Sequence, residues 1–325
     1  MSDLESAWQW RQKQGLMADA LRVFHGPGEG AGDSQHFAVD RFAGQSGAHY
    51  WVTQWETSGA GFSAARLTAI QTQIVEFLRT KNATSIVAMT RPEKGLPAEP
   101  HVWYGTPPPG RFVVQEGEMK FWIQLQNSRH PGLFLDHCPL RQWLRQSCQG
   151  KRVLNTFAYT GSLSVAAGLG GADSVTTLDL SKPSVDWAVE NFKINELPAA
   201  KHRAISGDVF EWLPRLKREK QTYDCIVLDP PSFSHGKKQK FSTAKDLEKL
   251  HSLAMELLTR EGVLVTSINS ANISWKKYET DVLAAAKKNK FEFKILRQID
   301  LPESFPTSLG AVQDRYLKGW ILQAS

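Results

Sequence analysis

Three aspartates stand where strand-like stretches run out. Asp179 closes the β-branched run "SVTTLDL" (174–180), Asp208 follows "HRAISG" (202–207), and Asp229 ends "DCIVLD" (224–229). In a doubly wound sheet, ligands lie beyond the carboxyl ends of the strands, so these tips are where chemistry is to be sought. Asp229 runs into Pro230, Pro231, Ser232 and Phe233. Two prolines fix two φ angles and remove two N–H donors. Asp229 and the Pro230 carbonyl then form a stiff row of acceptors, and Phe233 supplies a flat face. Such a row can hold a planar nitrogen group in line with an electrophile. Asp179 lies 24 residues after Asn155, a spacing at which an acid accepts hydrogen bonds from ribose hydroxyls. Asp208 can take the exocyclic amino group of an adenine, with Val209 or Phe210 beside the ring. Each has a plainer alternative: Asp179 and Asp208 as caps of the helices that follow, Asp229 as a strand terminator.

The elements that must position these residues are legible after residue 150. "RVLNTF" (152–157) reads as a strand and "SLSVAAGLG" (162–170) as a helix with Ser162 as its cap. Gly161 permits a tight turn between them, though an ordinary strand-to-helix connection would use it too. "KPSVDWAVENFKINE" (182–196) is helical with Pro183 in its first turn. "VFEWLPRLK" (209–217) is a helix interrupted by Pro214, and "TAKDLEKLHSLAMELLT" (243–259) is amphipathic. "GVLVTSIN", "WKKYETDVLAAAKKN", "FEFKILRQI" and "DRYLKGWILQ" continue the strand–helix alternation, with no helix between the last two. This predicts an α/β domain over 126–325, a doubly wound, mostly parallel sheet with one antiparallel strand near its end. Residues 1–125 read differently: two strands (36–42 and 49–56), a helix (63–80), a strand (83–91) and a hairpin around Glu116-Gly117. That is a smaller α+β domain with a possible RNA- or substrate-binding role.

Length and 41% hydrophobic content support two cores. No apolar run is long enough to span a membrane, and the polar N-terminus lacks a signal-peptide core, so a cytoplasmic location is expected. Cys138, Cys148 and Cys225 have neither metal-ligand nor disulfide-framework spacing, and no metal is expected. The net charge of +6 is concentrated: residues 230–299 carry 13 Lys/Arg against 7 Asp/Glu, which is the whole excess. A local positive excess suits a polyanion such as RNA, with Lys237, Lys238, Lys240, Lys276 and Lys277 as phosphate contacts. A solvated helix surface would have the same composition. Trp275, beside two lysines, is the tryptophan placed to touch RNA.

The segments "VLNTFAYTGSLSVAAGLGGADSVTTLDLS", "WAVENFKINEL", "GDVFEWL", "YDCIVLDPPSFS" and "YLKGWIL" resemble class I S-adenosylmethionine (SAM) dependent methyltransferases. They are most similar to the bacterial enzymes that modify 23S rRNA at cytosine C5 or guanine N7. "HPGLFLDHCPLRQWL" resembles the lead-in that closes over the cofactor in that family. The resemblance implies a seven-stranded Rossmann-like sheet and SAM as cofactor. It places Asn155, Phe157, Tyr159, Thr160 and Gly161 along the methionine end, Asp179 with Leu180 and Ser181 at the ribose, and Asp208 with Val209 at the adenine. Phe134, Leu135 and Asp136 would cover the cofactor, and Asp229, Pro230 and Pro231 would face the target, with Phe233 stacking on the base or packing in the core.

Departures from the family pattern narrow the chemistry. Cytosine-C5 transfer needs a thiol that adds to the ring. The family places it in an "SCS"-like turn or beside "DPP", and here those positions read "TSINS" (266–270) and "DPPSF". Cys225, inside a strand, reads as a small core residue. A nitrogen target is therefore favoured, guanine in 23S rRNA foremost. The lid element "DQR" reads "DHC" here, and the N-terminal RNA-binding module of some relatives is missing. Three other functions are compatible with parts of the sequence: a SAM enzyme acting on a protein or small molecule, a non-catalytic RNA-binding protein, and a nicotinamide oxidoreductase, which the missing G-x-G-x-x-G disfavours. The oligomeric state is not legible.

Overall fold

The structure is a computed structural model. It describes residues 2–56, 63–92, 99–231, 233–235, 240–270, 273–308 and 316–325. The chain forms two compact units, Met1–Asp136 with Leu301–Val312, and His137–Asp300 with Gln313–Ser325. The domain boundary expected at 125/126 thus lies inside the first unit, and a late segment returns to it.

In the first unit, α1 (Ser2–Lys13), β1 (Ala20–His25), the short α2 (Gly26–Glu29), β2 (Phe37–Gly44) and β3 (Gly47–Trp55) precede α3 (Ala64–Thr80), β4 (Ala83–Arg91), β5 (His101–Gly105) and the hairpin β6 (Phe112–Glu116) and β7 (Met119–Ile123). A five-stranded sheet runs β1-β2-β3-β4-β5. Only the β3–β4 pair in it is parallel, as the intervening α3 requires. Ser63 caps α3, accepting the Arg66 N–H. Ile74, Phe77 and Leu78 of α3 bury against Val39, Tyr50, Val52 and Ile86 of the sheet. α1 adds Leu4, Ala7 and Trp8 to this core and buries Arg11, whose guanidinium is forked by Glu29 at 2.7 and 3.0 Å.

The second unit contains α4 (Cys138–Ser147), β8 (Arg152–Thr156), α5 (Ser162–Leu169), β9 (Ser174–Asp179), α6 (Lys182–Ile194), β10 (His202–Ser206), α7 (Val209–Arg218), β11 (Tyr223–Leu228), the short β12 (Phe233–His235) and β13 (Lys240–Ser242), α8 (Thr243–Met255), β14 (Leu258–Asn269), α9 (Trp275–Asn289), β15 (Phe293–Gln298) and β16 (Leu317–Ala324). Seven strands form one sheet in the order β10-β9-β8-β11-β14-β16-β15. β16 is antiparallel to both neighbours, and the other neighbouring pairs are parallel. The expected doubly wound architecture is present, with its chain reversal beside β8. Leu154, Leu178, Ile226, Leu228 and Leu264 make the strand side of the core that α7, α8 and α9 cover.

Two local expectations are corrected. Gly161, not Ser162, is the N-cap of α5; at φ +75° it is left-handed and offers no side-chain cap. α7 continues through Pro214 instead of breaking. Pro214 lies six residues into a ten-residue helix, so it forfeits one backbone bond. The Asp208 cap and the buried Val209, Leu213 and Leu216 keep the helix intact.

His25 and His251 are buried and His130 is partly buried, each favouring the neutral form. Burial, then the charges of Arg22 and Arg11, lowers the His25 pKa to about 3. Burial, then Arg91 and Arg129, lowers His130 to about 4. Burial lowers His251 to about 4 against the opposing effects of the Leu247 carbonyl and Asp281. All three take up protons more readily when unfolded, near pH 6.5. Their contribution to stability is therefore complete above that pH and is lost as the pH falls toward 4. The expected slope is about 1.4 kcal/mol per pH unit for each histidine. Urea midpoints measured from pH 8 to 4.5 are expected to be flat above pH 7 and to fall steadily below about 6.5.

Candidate active site

Because β10, β9, β8, β11 and β14 are parallel neighbours, their carboxyl ends share one edge of the sheet. Hydrogen bonds tie those ends together in sequence. The Gly207 N–H donates to the Asp179 carbonyl at 2.9 Å, linking β10 to β9. The Ala158 N–H donates to the Leu178 carbonyl at 3.1 Å, linking β9 to the turn after β8. The Thr156 hydroxyl donates to the Val227 carbonyl at 3.0 Å, linking β8 to β11. The Ser267 hydroxyl donates to Asp229 Oδ1 at 2.6 Å, linking β14 to the tip of β11. The three aspartates thus occupy one connected rim.

The turn between β8 and α5 is wound left-handed at alternate residues: Phe157 at φ +54°, Tyr159 at φ +50° and Gly161 at φ +75°. Non-glycine residues adopt this conformation at a cost, and they keep it where the surroundings over-determine it. Here the Tyr159 N–H donates to Asp179 Oδ2 at 2.8 Å, and the Gly161 N–H to the Ala158 carbonyl at 2.8 Å. Gly161 is also required by packing, since a Cβ would stand 2.8 Å from the Ala188 Cβ and 3.3 Å from Phe192. Thr160 is buried, and its carbonyl accepts from the buried Asn191 amide at 2.9 Å.

Asp179 does not cap α6; Ser181 does, accepting the Ser184 N–H. Asp179 instead holds two backbone donors, Tyr159 N–H on Oδ2 and Ser181 N–H on Oδ1, both at 2.8 Å. Burial raises its pKa, and the hydrogen bonds from Ser181 and Tyr159 offset only part of that. Each oxygen keeps a second lone pair for a hydroxyl donor. Asp208 caps α7, with Oδ1 accepting the Phe210 N–H at 2.9 Å. Val209 is buried in the core, and the partly buried Phe210 has the Lys249 ammonium 5.2 Å from its ring centroid. Leu180 and Ser181 are exposed.

Asp229 sits just beyond β11, followed by the buried Pro230 and the exposed Pro231. Its two oxygens are separately held, Oδ1 by Ser267 and Oδ2 by His137 Nε2 at 3.0 Å. Burial would raise the Asp229 pKa, but the charge of His137 and hydrogen bonds from His137 and Ser267 bring it below the usual carboxylate range. The group is an anion at any working pH. His137 and Ser267 were not recognised from sequence. The reading of "DHC" as a departure from "DQR" was the only signal, and it did not identify a partner.

Other expected residues are placed individually. In the first unit Phe134 is exposed and tilts against the His130 ring at 5.2 Å between centroids, whereas Leu135 and Asp136 are buried. Lys276 and Lys277 are exposed on the first turn of α9, and Lys277 pairs with Asp281. Trp275 is partly buried, against Tyr278 and Trp320 at 6.3 and 5.0 Å. Its packing there disfavours the RNA contact expected of it. Lys237 and Lys238 lie outside the described residues. For Phe233 and Lys240 the backbone lies on β12 and β13, and their side chains lie outside the description. Among the described residues no group of three His, Cys, Asp or Glu side chains could hold a metal ion. No described helix is long and apolar enough to cross a membrane.

Parallel strand tips carrying spaced acids above a strained turn define a nucleotide-type site on a doubly wound sheet. Residues 21–314 match the family of S-adenosylmethionine-dependent methyltransferases. YwbD of Bacillus subtilis (strain 168), named as a candidate ribosomal RNA large subunit methyltransferase, is 32% identical over 333 residues, covering 99% of this chain and 80% of YwbD. Ribosomal RNA large subunit methyltransferase K of Neisseria meningitidis serogroup B is 37% identical over 196 residues, covering 60% of this chain and 53% of that protein. The crystal structure of SMU.776, a candidate methyltransferase complexed with SAH, superimposes with a TM-score of 0.84 at 27% identity, covering 98% of this chain and 80% of that one. The chain belongs to the S-adenosylmethionine-dependent methyltransferase family and is an enzyme of that class.

The residues present fit SAM. The buried Asn155 Oδ1, at the end of β8, has no hydrogen-bond partner among the described residues and is an acceptor suited to an ammonium. Its amide nitrogen is already fixed, donating to Ser164 at 2.9 Å. Asp179 would take the ribose hydroxyls, Asp208 the adenine amino group, and the 157–161 turn the amino-acid end. When bound, SAM supplies a methyl group already activated on a sulfonium. The chain's own task is to align the acceptor and place charge beside it.

Proposed function

We propose that this methyltransferase transfers its methyl group to a nitrogen of an RNA base, with guanine of the large-subunit ribosomal RNA as the target. The observation that carries this reading is Asp229, a carboxylate kept ionised at the strand tip, followed by two prolines. An anion there can align a ring or amino nitrogen and stabilise the positive charge that develops on it, without a covalent step. Carbon methylation would need a nucleophilic thiol. Cys148 and Cys225 are fully buried, and the end of β14 carries Ser267 and Asn269 where a thiol would be required. The RNA substrate is supported by the names of the relatives and by the basic excess of residues 230–299. On this reading Lys237, Lys238, Lys240, Lys276 and Lys277 meet phosphates, Phe233 stacks on the base, Phe134, Leu135 and Asp136 cover the cofactor, and the first unit assists substrate binding.

Purified enzyme is incubated with tritiated SAM and an extract of cells lacking the gene. Label is expected in RNA, ribonuclease-sensitive, and in a methylated guanine after digestion to nucleosides. Cys138→Ser, which changes the one partly exposed cysteine, is expected to leave the rate unchanged. Label surviving ribonuclease in protein would overturn the RNA reading, and loss of activity in the cysteine variant would overturn the nitrogen target.

A further inference from the structure

We propose that His137 and Ser267 are positioning residues that lock the Asp229 carboxylate from two sides, making its orientation, and not only its charge, part of the catalytic design. This rests on the reading that Asp229 aligns the acceptor nitrogen.

The geometry is specific. One oxygen of Asp229 accepts from Ser267 at 2.6 Å and the other from His137 at 3.0 Å. A carboxylate bonded through one oxygen still swings about its Cβ–Cγ bond. Held through both, its plane is fixed, and the remaining lone pairs point in set directions. The His137 and Asp229 side chains are 8% and 22% exposed. The contact is thus shielded from water, which strengthens its hydrogen bond, yet Asp229 keeps an open side.

Both clamps are themselves anchored. Ser267 is buried on β14, directly after Thr266. The Thr266 hydroxyl lies between His251 Nε2 and the Tyr278 hydroxyl, each at 2.7 Å, which pins β14 to α8 and α9. Opposite Ser267, β16 carries Gly319, where a Cβ would come within 2.5 Å of the Thr266 carbonyl. No larger residue fits there without shifting the strand. On the other side, His137 is the N-cap residue of α4, and a proline in the first turn stiffens the helix start. Both converge on one functional carboxylate from elements remote in sequence.

The test combines kinetics with a substrate-free measurement. His137→Ala is expected to lower kcat about 10–100-fold while KM for SAM and the melting temperature stay near wild type. His137→Gln, which keeps a neutral N–H donor of similar reach, is expected to recover kcat to within about fivefold of wild type. Ser267→Ala is expected to act on kcat in the same way, and the double variant to lose less than the product of the two single losses. Separately, NMR of the histidine-labelled full chain is expected to show an exchange-protected Nε2 proton of His137 that disappears in Asp229→Ala. An unchanged kcat in His137→Ala, or parallel losses of kcat, SAM affinity and stability without rescue by glutamine, would overturn the proposal. So would an Nε2 resonance indifferent to Asp229. Because the NMR measurement uses no acceptor, failure to methylate RNA would count against the substrate reading alone.

Discussion

Asp229→Ala is expected to lower kcat by about 10²–10³-fold, with the dissociation constant for SAM within about threefold of wild type. The expectation follows from where the residue stands. Asp229 lies past the end of β11, and its carboxylate binds Ser267 and His137, not the turn that follows β8. Removing it takes an anion from beside the acceptor and leaves Asp179, Asp208 and the 157–161 turn in place. It also removes one hydrogen bond of the buried His137, so some loss of stability accompanies the loss of rate. Asp229→Asn, which keeps the shape, separates the two effects, since it is expected to retain stability while losing most of the rate. Because Asp229 is held below the ordinary carboxylate range, wild-type kcat/KM is expected to show no acid limb from this group above about pH 5. Equal loss of SAM affinity and rate would assign Asp229 a structural role.

Asp179→Ala is expected to have the opposite signature: the SAM dissociation constant rises about 10–100-fold, the equivalent of one lost hydrogen-bonded charge. Asp179 has two functions in the structure. On the proposed reading its remaining lone pairs take the ribose hydroxyls, and its bound ones hold the N–H groups of Tyr159 and Ser181. Tyr159 is one of the two non-glycine left-handed residues in the turn. Without the carboxylate, the strain at Tyr159 loses its compensation, and stability is expected to fall by about 1–3 kcal/mol. Calorimetric titration with SAM and thermal unfolding give the two quantities separately. At saturating SAM, kcat is expected to recover most of its wild-type value, which a catalytic role would forbid.

The parts of this site that were legible in the sequence share one property: they are local. Asp179, Asp208 and Asp229 each end a short apolar run, and alternation of strands with helices is enough to bring their tips to one edge. Gly161 was legible because a strand-to-helix turn needs a left-handed residue, although the cap was misplaced by one position. What escaped is long-range. Nothing in "DHC" or "TSINS" says that His137 and Ser267 meet at Asp229; only the packed sheet does. The first unit was harder for a different reason. In α1 the buried Arg11 sits among the apolar positions and blurs the helical stripe, and β5 is largely exposed, so its pattern is weak. The return of the 301–308 segment to that unit was invisible, because it is held by the Ser304 carbonyl accepting from Arg11 at 2.8 Å and by Phe305 under the Arg22 guanidinium at 4.3 Å. Those partners lie at the other end of the chain.

On the proposed reading, the ends of β10, β9, β8 and β11 hold SAM with its reactive carbon toward Asp229. The decisive experiment is a crystal structure of the full chain with S-adenosylhomocysteine. The ribose hydroxyls are expected on Asp179, the adenine beside Asp208, the amino-acid end on the 157–161 turn, and the sulfur facing the Asp229 carboxylate. A ligand bound away from this rim, or one whose sulfur faces away from Asp229, would contradict the reading.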